Sequence, residues 1–280
     1  MAPRYLNPGN DVSFKKLFGT SDHKPLLISF LNAILELEGT RKIKEVELLP
    51  QEQSPLLRDL KKSILDVKCT DERNIQYIVE MQNNNVPDFA KRAQFYLADS
   101  YVMQASSGSK YVELKPVILL AIANYDLFPE KERVVSYHKT LDVETLERDL
   151  KDMSYVFVEL PKFIKKDLEL KTDQDKWLYF FRNWEKSTEI PSAIKEPEII
   201  EAYHSMEEFN WSEEEREAYV KANIAAVDEY RRIEESRKEG RKEERIALVK
   251  KLLKRNRSAE EISEDIGLSL EEVQNLAQGK

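Results

Sequence analysis

Residues 63–82 read S-I-L-D-V-K-C-T-D-E-R-N-I-Q-Y-I-V-E-M-Q, and this stretch decides the fold. Two runs rich in apolar and β-branched residues, 63–70 and 74–82, flank the short polar segment 71–73, a pattern that predicts a β-hairpin. Apolar side chains fall on both alternating faces of each run, as they do in strands at the centre of a sheet. The hairpin is therefore expected to lie inside a sheet that is covered on both sides.

Helical and strand patterns alternate around this hairpin. Apolar residues at three- and four-residue spacing predict a helix over 11–37, broken near 19–25, and another over 88–106. The uninterrupted apolar run 116–123 predicts a strand that is buried on both faces. The other predicted strands cover residues 43–50, 133–141 and 155–160. This order of elements predicts an α/β fold with a mixed sheet flanked by helices.

From about residue 173 onwards the sequence shows only helical patterns, so an all-helical C-terminal region is expected to follow the sheet. An aromatic-rich helix is predicted over 177–184, and residues 229–256 read as one long, highly charged helix. We expect the chain to have three parts. A core over 1–170 is followed by a helical extension, 171–228, that packs on it. Residues 229–280 form the charged helix and a small helix-turn-helix-like element.

Two capping boxes open short helices in this terminal element. Ser258 precedes Glu261 by three residues and Ser269 precedes Glu272 in the same way, with Gly267 between them as a helix stop. The second helix, L-E-E-V-Q-N-L-A-Q, has acidic residues and no basic one, which favours packing or oligomerisation over reading of DNA bases. A homodimer formed through the C-terminal helices is therefore expected.

The composition excludes several classes of protein. With 7 glycines in 280 residues, a glycine-rich phosphate-binding loop is not expected. Cys69 is the only cysteine, which excludes an intrachain disulfide and a cysteine-based zinc site and favours a reducing, cytoplasmic location. No apolar run approaches the roughly 20 residues that span a bilayer, so no membrane association is expected. The net charge of −8 argues against a protein that coats nucleic acid, although a local basic cleft remains compatible with it.

The hairpin carries a group of polar residues with chemical potential. Side chains two residues apart in a strand share a face, so Glu80 and Gln82 project together. A turn at 71–73 places Asp66 opposite Ile78, on the same face and diagonal to Glu80, with backbones roughly 7–8 Å apart. Asp66 and Glu80 are thus expected to reach one shared ligand.

Two converging carboxylates repel each other and either share a proton or bind a cation. Mg²⁺ prefers such oxygen ligands, and Mn²⁺ is the expected substitute. Gln82 offers both donors and an acceptor with which to orient a water. The alternative is that Asp66 and Glu80 lie on the solvent side of an exposed strand, but their apolar sequence neighbours favour a buried setting that needs a partner or a metal.

Five segments, taken together, carry a resemblance to a known family. They are N-D-V-S-F-K-K-L-F-G at 10–19, I-L-D-V-K-C-T-D at 64–71, Y-I-V-E-M-Q at 77–82, R-A-Q-F-Y-L-A-D-S-Y at 92–101 and S-A-E-E-I-S-E-D-I-G-L-S-L-E-E-V at 258–273. With them the sequence resembles the PD-(D/E)XK nuclease superfamily, and more narrowly the Rpn family of recombination-promoting nucleases, also described as PD-(D/E)XK nuclease family transposases.

The resemblance implies a restriction-endonuclease-like core, dependence on Mg²⁺ and cleavage of DNA phosphodiesters in recombination or DNA mobility. By motif position, Asp66 and Glu80 would be the metal ligands. Gln82 stands where the superfamily commonly has Lys, and Gln supplies no positive charge. Asp11 matches an acidic position at the start of the first helix, where it would help to hold a water at the metal; the alternative is a plain helix N-cap.

Basic residues provide candidate contacts to DNA. Arg92 is expected to contact the scissile phosphate, and Lys68 to add local attraction for phosphate. Lys250 and Lys254 are candidates near the end of the charged helix. For each of them the alternative is an ordinary surface charge. Two other functions stay open, which are a nuclease-fold DNA-binding or interaction protein with weak or no activity, and a structural α/β protein with a dimerisation tail.

Overall fold

The computed structural model describes residues 3–50, 66–105 and 110–278. Within it the chain forms two compact units, Met1–Ile224 and Ala225–Lys280. The first unit contains the sheet and its covering helices, and the second contains helices. The predicted beginning of the hairpin, residues 63–65, lies outside the described residues. The divisions expected after residues 170 and 228 stay predictions.

A mixed sheet forms the centre of the first unit and confirms the predicted fold class. The strands of the described residues are β1 (Val46–Leu48), β2 (Val67–Asp71), β3 (Gln76–Gln82), β4 (Val117–Ala123), β5 (Val135–Lys139) and β6 (Met153–Glu159). Their order in the sheet is β1-β2-β3-β4-β6-β5. Strands β3, β4 and β6 are parallel, whereas β1, β2 and β5 pair with their neighbours in antiparallel fashion. The carboxyl ends of β3, β4 and β6 therefore meet at one edge of the sheet.

Helices cover both faces of this sheet. The helices of the first unit are α1 (Asp11–Phe18), α2 (Lys24–Ile34), α3 (Phe89–Val102), α4 (Asp173–Asn183), α5 (Pro197–Ser205) and the beginning of α6 (Glu213–Leu253). Helices α1, α2, α4 and α5 share a core with one face, in which the rings of Phe18, Phe30 and Trp177 pack together. Helix α3 covers the other face through Phe89 and Leu97. The break near residue 19 is confirmed, since α1 and α2 are separate helices.

The hairpin turn is fixed by a buried carboxylate. Asp71, whose side chain is fully buried, accepts hydrogen bonds from the backbone N–H groups of Arg73 and Ile75, each at 2.9 Å. It also accepts from the Arg73 guanidinium and from the Tyr77 hydroxyl. Asn74 takes the left-handed conformation, with φ of 61°, which asparagine tolerates better than most residues. The turn therefore lies one residue later than the sequence pattern predicts.

This later turn corrects the predicted register. Val67 pairs with Val79, and continuing the same register by one residue places Asp66 opposite Glu80. The predicted partner, Ile78, is wrong by two residues. Because side chains alternate with a period of two, an error of two leaves the faces unchanged. Glu80 and Ile78 accordingly share the face that α3 covers.

The second unit is a small helical assembly. It consists of the later part of α6, α7 (Ala259–Ile266) and α8 (Leu270–Gln278), which pack around Val249, Ile262 and Val273. Both predicted capping boxes are formed. Gly267 ends α7 in the left-handed conformation, with φ of 64°, as predicted for a helix stop.

Candidate active site

The start of α1 is held against the carboxyl end of β3. Gly9 lies so close to this strand that an added Cβ would meet Met81 Cε at 2.5 Å, so only glycine fits there without displacement. The side-chain amide of Asn83 donates to the Gly9 carbonyl. These contacts bring Asp11, the first residue of α1, to the edge where β3 ends. Asn10, not Asp11, is the N-cap, so the alternative role of Asp11 as a plain N-cap is wrong.

Asp66 and Glu80 lie side by side at the same edge. The backbone N–H of Asp66 donates to Glu80 Oε1 at 3.3 Å, and the backbone N–H of Met81 donates to Asp66 Oδ2 at 2.7 Å. Glu80 is 4% exposed, whereas Asp66 is half-buried. The hairpin thus gathers one carboxylate from each of its strands, one reachable from solvent and one enclosed.

The electrostatics of this pair oppose two negative charges. Burial and the neighbouring charge of Asp66 raise the pKa of Glu80 well above its ordinary value. Burial and the charge of Asp11 raise the pKa of Asp66 to about 6. The Met81 N–H, Lys15 and Arg92 act in the opposite direction on the pKa of Asp66 without cancelling the rise. A cation placed between these carboxylates would remove the repulsion.

Gln82 is bound to a cation that comes from a different element. The Arg92 guanidinium Nη2, on the first turns of α3, donates to Gln82 Oε1 at 2.8 Å. The guanidinium lies over the Phe89 and Tyr96 rings, with its central carbon 5.2 and 5.9 Å from their centroids. The Arg92 Nε is buried and has no hydrogen-bond partner within the described residues. Ring packing and the Gln82 amide therefore hold a positive charge beside the carboxylate pair.

Lys15 is a further cation of the site. It lies one helical turn after Asp11 on α1, and its charge acts on the Asp66 carboxylate. Lys15 was not among the residues predicted from the sequence, although its four-residue spacing from Asp11 puts both on one face of the helix.

The other predicted lysines lie in different places. Lys68 pairs with Ile78 on the face that α3 covers, and burial lowers its pKa while the charge of Asp99 on α3 opposes the shift. Lys250 and Lys254 belong to the second unit and are exposed. Only Lys68 is thus placed within the unit that carries the carboxylate pair.

The donor chemistry of the site fits a hard divalent cation. Asp66 and Glu80 offer carboxylate oxygens, and Mg²⁺ is commonly held by one or two carboxylates with the rest of its shell supplied by water and substrate phosphate. Residues 3–50, 66–105 and 110–278 contain no group of three or more His, Cys, Asp or Glu side chains arranged to hold a metal. The two carboxylates themselves suit an ion that takes few protein ligands and completes its shell with water and phosphate, as Mg²⁺ does.

The carboxylate pair makes the stability of the metal-free protein depend on pH. The folded pKa of Asp66 is about 6 against an ordinary value of 3.8, so its contribution to folding is fully present below pH 4 and is lost as pH rises through 6. We expect the unfolding free energy of Asp66→Asn, relative to wild type in EDTA, to rise by roughly 1–3 kcal/mol between pH 4 and pH 8. Urea unfolding followed by tryptophan fluorescence measures this in the first unit, which contains all three tryptophans. An Asp66→Asn protein with the same pH dependence as the wild type would contradict the placement of this carboxylate.

Comparison with known proteins supplies the family. The chain matches the family described as PD-(D/E)XK nuclease family transposase over residues 8–236. It belongs to this family. The resemblance drawn from the sequence is thereby confirmed, and the chain is a nuclease-fold member of a transposase family. The PD-(D/E)XK match includes α1, the hairpin and α3, and hence the residues Asp11, Asp66, Glu80, Gln82 and Arg92. No curated protein and no solved structure matches the chain significantly.

A membrane crossing would require a long apolar helix. In the part of the chain that the structure describes, no helix combines the length and the apolar composition needed to cross a bilayer. Even α6, with 41 residues, is dominated by charged side chains.

Proposed function

We propose that this PD-(D/E)XK protein is a Mg²⁺-dependent DNA endonuclease that hydrolyses phosphodiester bonds. The observation that carries the proposal is the juxtaposition of Asp66 and Glu80, two mutually repelling carboxylates at the edge where β3 ends, in a chain of a nuclease family. Their proton affinity is raised by the protein, which is the arrangement expected of groups that exchange protons for a metal.

Asp66 and Glu80 are the proposed metal ligands. When bound, Mg²⁺, or Mn²⁺ in its place, supplies Lewis-acid polarisation of the phosphate and lowers the pKa of water. The enclosed Glu80 contributes a fixed oxygen, while the half-buried Asp66 contributes one on the side open to DNA. Asp11 orients water from the N-terminus of α1, and Lys15 keeps the local charge from becoming too negative.

Gln82 and Arg92 together supply what the usual lysine would supply. The Gln82 carbonyl oxygen is occupied by Arg92, so its NH₂ group is the part that donates to water or to phosphate. Arg92 brings the positive charge that glutamine lacks, and its guanidinium is suited to contact a phosphate oxygen. Lys68 adds attraction for phosphate on the same face of the sheet.

The biological setting follows from the family rather than from the site. We propose that cleavage serves recombination or DNA mobility in the cytoplasm. Cutting both strands of a duplex calls for two active sites, and a homodimer through the C-terminal helices would provide them. Hydrolysis of one strand at a single active site does not depend on this dimer.

A plasmid-nicking assay tests the proposal. Wild-type protein is expected to convert supercoiled plasmid to nicked and linear forms with Mg²⁺ and not with EDTA, and Asp66→Ala to leave the plasmid supercoiled. The same samples are tested for binding to duplex DNA by fluorescence anisotropy. Mg²⁺-dependent cleavage that survives Asp66→Ala would overturn the assigned site. If the wild type fails to cleave with every metal tested, the proposed nuclease activity is overturned.

A catalytically weak or inactive nuclease-fold protein that binds DNA or a partner is the second candidate. The observation that favours it is Gln82, whose carbonyl is held by Arg92 and which carries no charge of its own. DNA binding without cleavage, by both wild type and Asp66→Ala, would select this function.

A further inference from the structure

A groove lined by cations lies in the second unit, whereas every residue of the proposed active site belongs to the first. Its volume is about 380 Å³, and it lies between the later part of α6 and α8. The residues that define this basic groove are Lys238, Arg241, Lys242 and Arg245. They follow residue 236, where the match to the nuclease family ends.

The four cations of the basic groove occupy a single stripe of α6. At 3.6 residues per turn, positions 238, 241, 242 and 245 fall within an arc of about 100°. The same stripe continues into Val249 and Leu252, which pack in the core of the second unit. A stripe that is apolar where it meets α7 and α8 therefore becomes wholly basic one turn earlier, at a position where a packing helix would ordinarily carry apolar residues.

Among the described residues none of the four cations makes an ion pair, although Arg231 and Arg232 of the same helix pair with acids three residues before them. All four are exposed. Four positive charges are therefore exposed together on one stripe of α6, while Glu239, Glu243 and Glu244 fall outside its arc.

One acid, Glu272, lies among the residues that line the groove. It accepts hydrogen bonds from the backbone N–H and the hydroxyl of Ser269 in its own capping box. These bonds lower the pKa of Glu272 more than the charge of Arg245 does. The main interactions of Glu272 are therefore those that cap α8, and its single charge offsets the four cations only in part.

We propose that the basic groove binds the phosphodiester backbone of duplex DNA without reading its sequence, as a second DNA contact of the nuclease; this inference rests on the proposed function. Positions 238 to 245 span roughly 10 Å of helix, which corresponds to about three phosphates of one strand at 3.4 Å each along the duplex axis. Arg and Lys are the residues that neutralise such phosphates, and Asn275 on the α8 side offers a neutral donor.

A second copy of the chain is the competing occupant, since residues 258–278 carry six acidic and no basic side chains. Several of these acids already bind their own chain. Glu261 caps α7, Asp265 pairs with Arg257 at 2.6 Å, and Glu272 caps α8. DNA, whose phosphates are all available, is therefore the better complement to the groove.

The test uses the 280-residue chain and a 25-base-pair duplex in EDTA, so that no cleavage occurs. The variant K238Q/R241Q/K242Q/R245Q keeps helix-forming residues while it removes four charges. Each phosphate contact contributes about 0.9 to the slope of log K against log salt, so we expect the slope to become less steep by about 3 and the affinity at 0.1 M NaCl to fall on the order of 100-fold. Circular dichroism confirms that the helices are intact.

A matched control removes the same charge from the first unit. The variant K42Q/K44Q/K139Q/K195Q alters four exposed lysines that make no ion pair among the described residues, and we expect its slope to change by less than about 1. Equal losses in both variants would mean general attraction between DNA and any exposed cation, and would overturn the groove. Unchanged DNA affinity in the groove variant, with or without a shift from dimer to monomer in light scattering, would overturn it as well.

The two proposals fail in different ways. If the wild type cleaves DNA with Mg²⁺ but the groove variant binds as tightly as the wild type, the groove is wrong and the nuclease stands. If the wild type binds DNA through the groove but never cleaves, the nuclease is wrong and the DNA contact stands.

Discussion

Glu80→Gln is expected to lower the rate of DNA cleavage by about 10³-fold or more. The substitution keeps the size of the side chain, and its carbonyl still accepts the Asp66 N–H, so the hairpin is preserved. It removes the carboxylate of a proposed metal ligand, and a catalytic metal contributes several kcal/mol of charge stabilisation in the transition state. At 1.36 kcal/mol for each factor of ten, a loss of about 4 kcal/mol corresponds to 10³ in rate. The rate of plasmid nicking under single-turnover conditions measures it.

Glu130→Gln is the matched control, because Glu130 is an exposed carboxylate that makes no ion pair among the described residues. We expect this variant to cleave at the wild-type rate. Both variants are also expected to bind duplex DNA in EDTA at least as well as the wild type, because neither substitution adds a negative charge or removes a positive one. A Glu80→Gln protein that retains more than about a tenth of the wild-type rate would exclude Glu80 as a metal ligand.

Asp71→Ala is expected to destabilise the protein by about 3–5 kcal/mol, because it removes a buried carboxylate that is the acceptor for several donors, and each donor left unsatisfied costs about 1–3 kcal/mol. Asp71 is fully buried and satisfies two backbone N–H groups, the Arg73 guanidinium and the Tyr77 hydroxyl. Alanine would leave the Tyr77 hydroxyl buried without this acceptor and Arg73 without its counter-ion. The melting temperature is expected to fall by roughly 10 °C, measured by scanning calorimetry of the metal-free protein.

Asp142→Ala is the corresponding control. Asp142 likewise accepts two backbone N–H groups of a turn, at 2.8 and 2.9 Å, but it is exposed and has no buried partner among the described residues. We expect Asp142→Ala to leave the melting temperature nearly unchanged. Equal losses in the two variants would show that the backbone hydrogen bonds of a turn matter and that the burial of the Asp71 carboxylate does not. A small loss in Asp71→Ala would mean that the register of the hairpin is fixed elsewhere.

The sheet could be predicted because its central strands carry their own signal. The run 117–123 is apolar throughout, and the hairpin strands are apolar on both faces, as buried strands must be. The sequence pattern predicts correctly that Asp66 and Glu80 share a face, although the predicted register is wrong, because the register error is an even number of residues. A turn displaced by one residue on only one strand would have separated them.

The turn itself was harder to predict. Asp71 reads as an ordinary polar turn residue, and nothing in the local sequence shows that its carboxylate is buried. The position of the turn depends on the two N–H groups that Asp71 satisfies and on Asn74, which accepts the left-handed conformation. Such a network becomes visible only when Tyr77 and Arg73 are placed beside it.

Contacts between elements that are distant in the chain could not be predicted from the sequence. The pairing of Gln82 with Arg92 depends on how α3 crosses the sheet, and no spacing rule relates the end of a strand to a helix ten residues later. The charge of Lys15 acts on Asp66 across elements that the turn before α1 brings together, where Gly9 packs against Met81. The basic groove could not be predicted, because acids alternate with its cations along the sequence. The cations separate from these acids only when the segment winds into a helix.

The proposal that Asp66 and Glu80 share a metal is tested most directly by anomalous diffraction from crystals soaked in Mn²⁺. We predict a peak at roughly 2 Å from one oxygen of Asp66 and one of Glu80, absent from crystals of Glu80→Gln. A strong Mn²⁺ peak elsewhere in the protein, or no peak between these two carboxylates, would show that they do not share a metal.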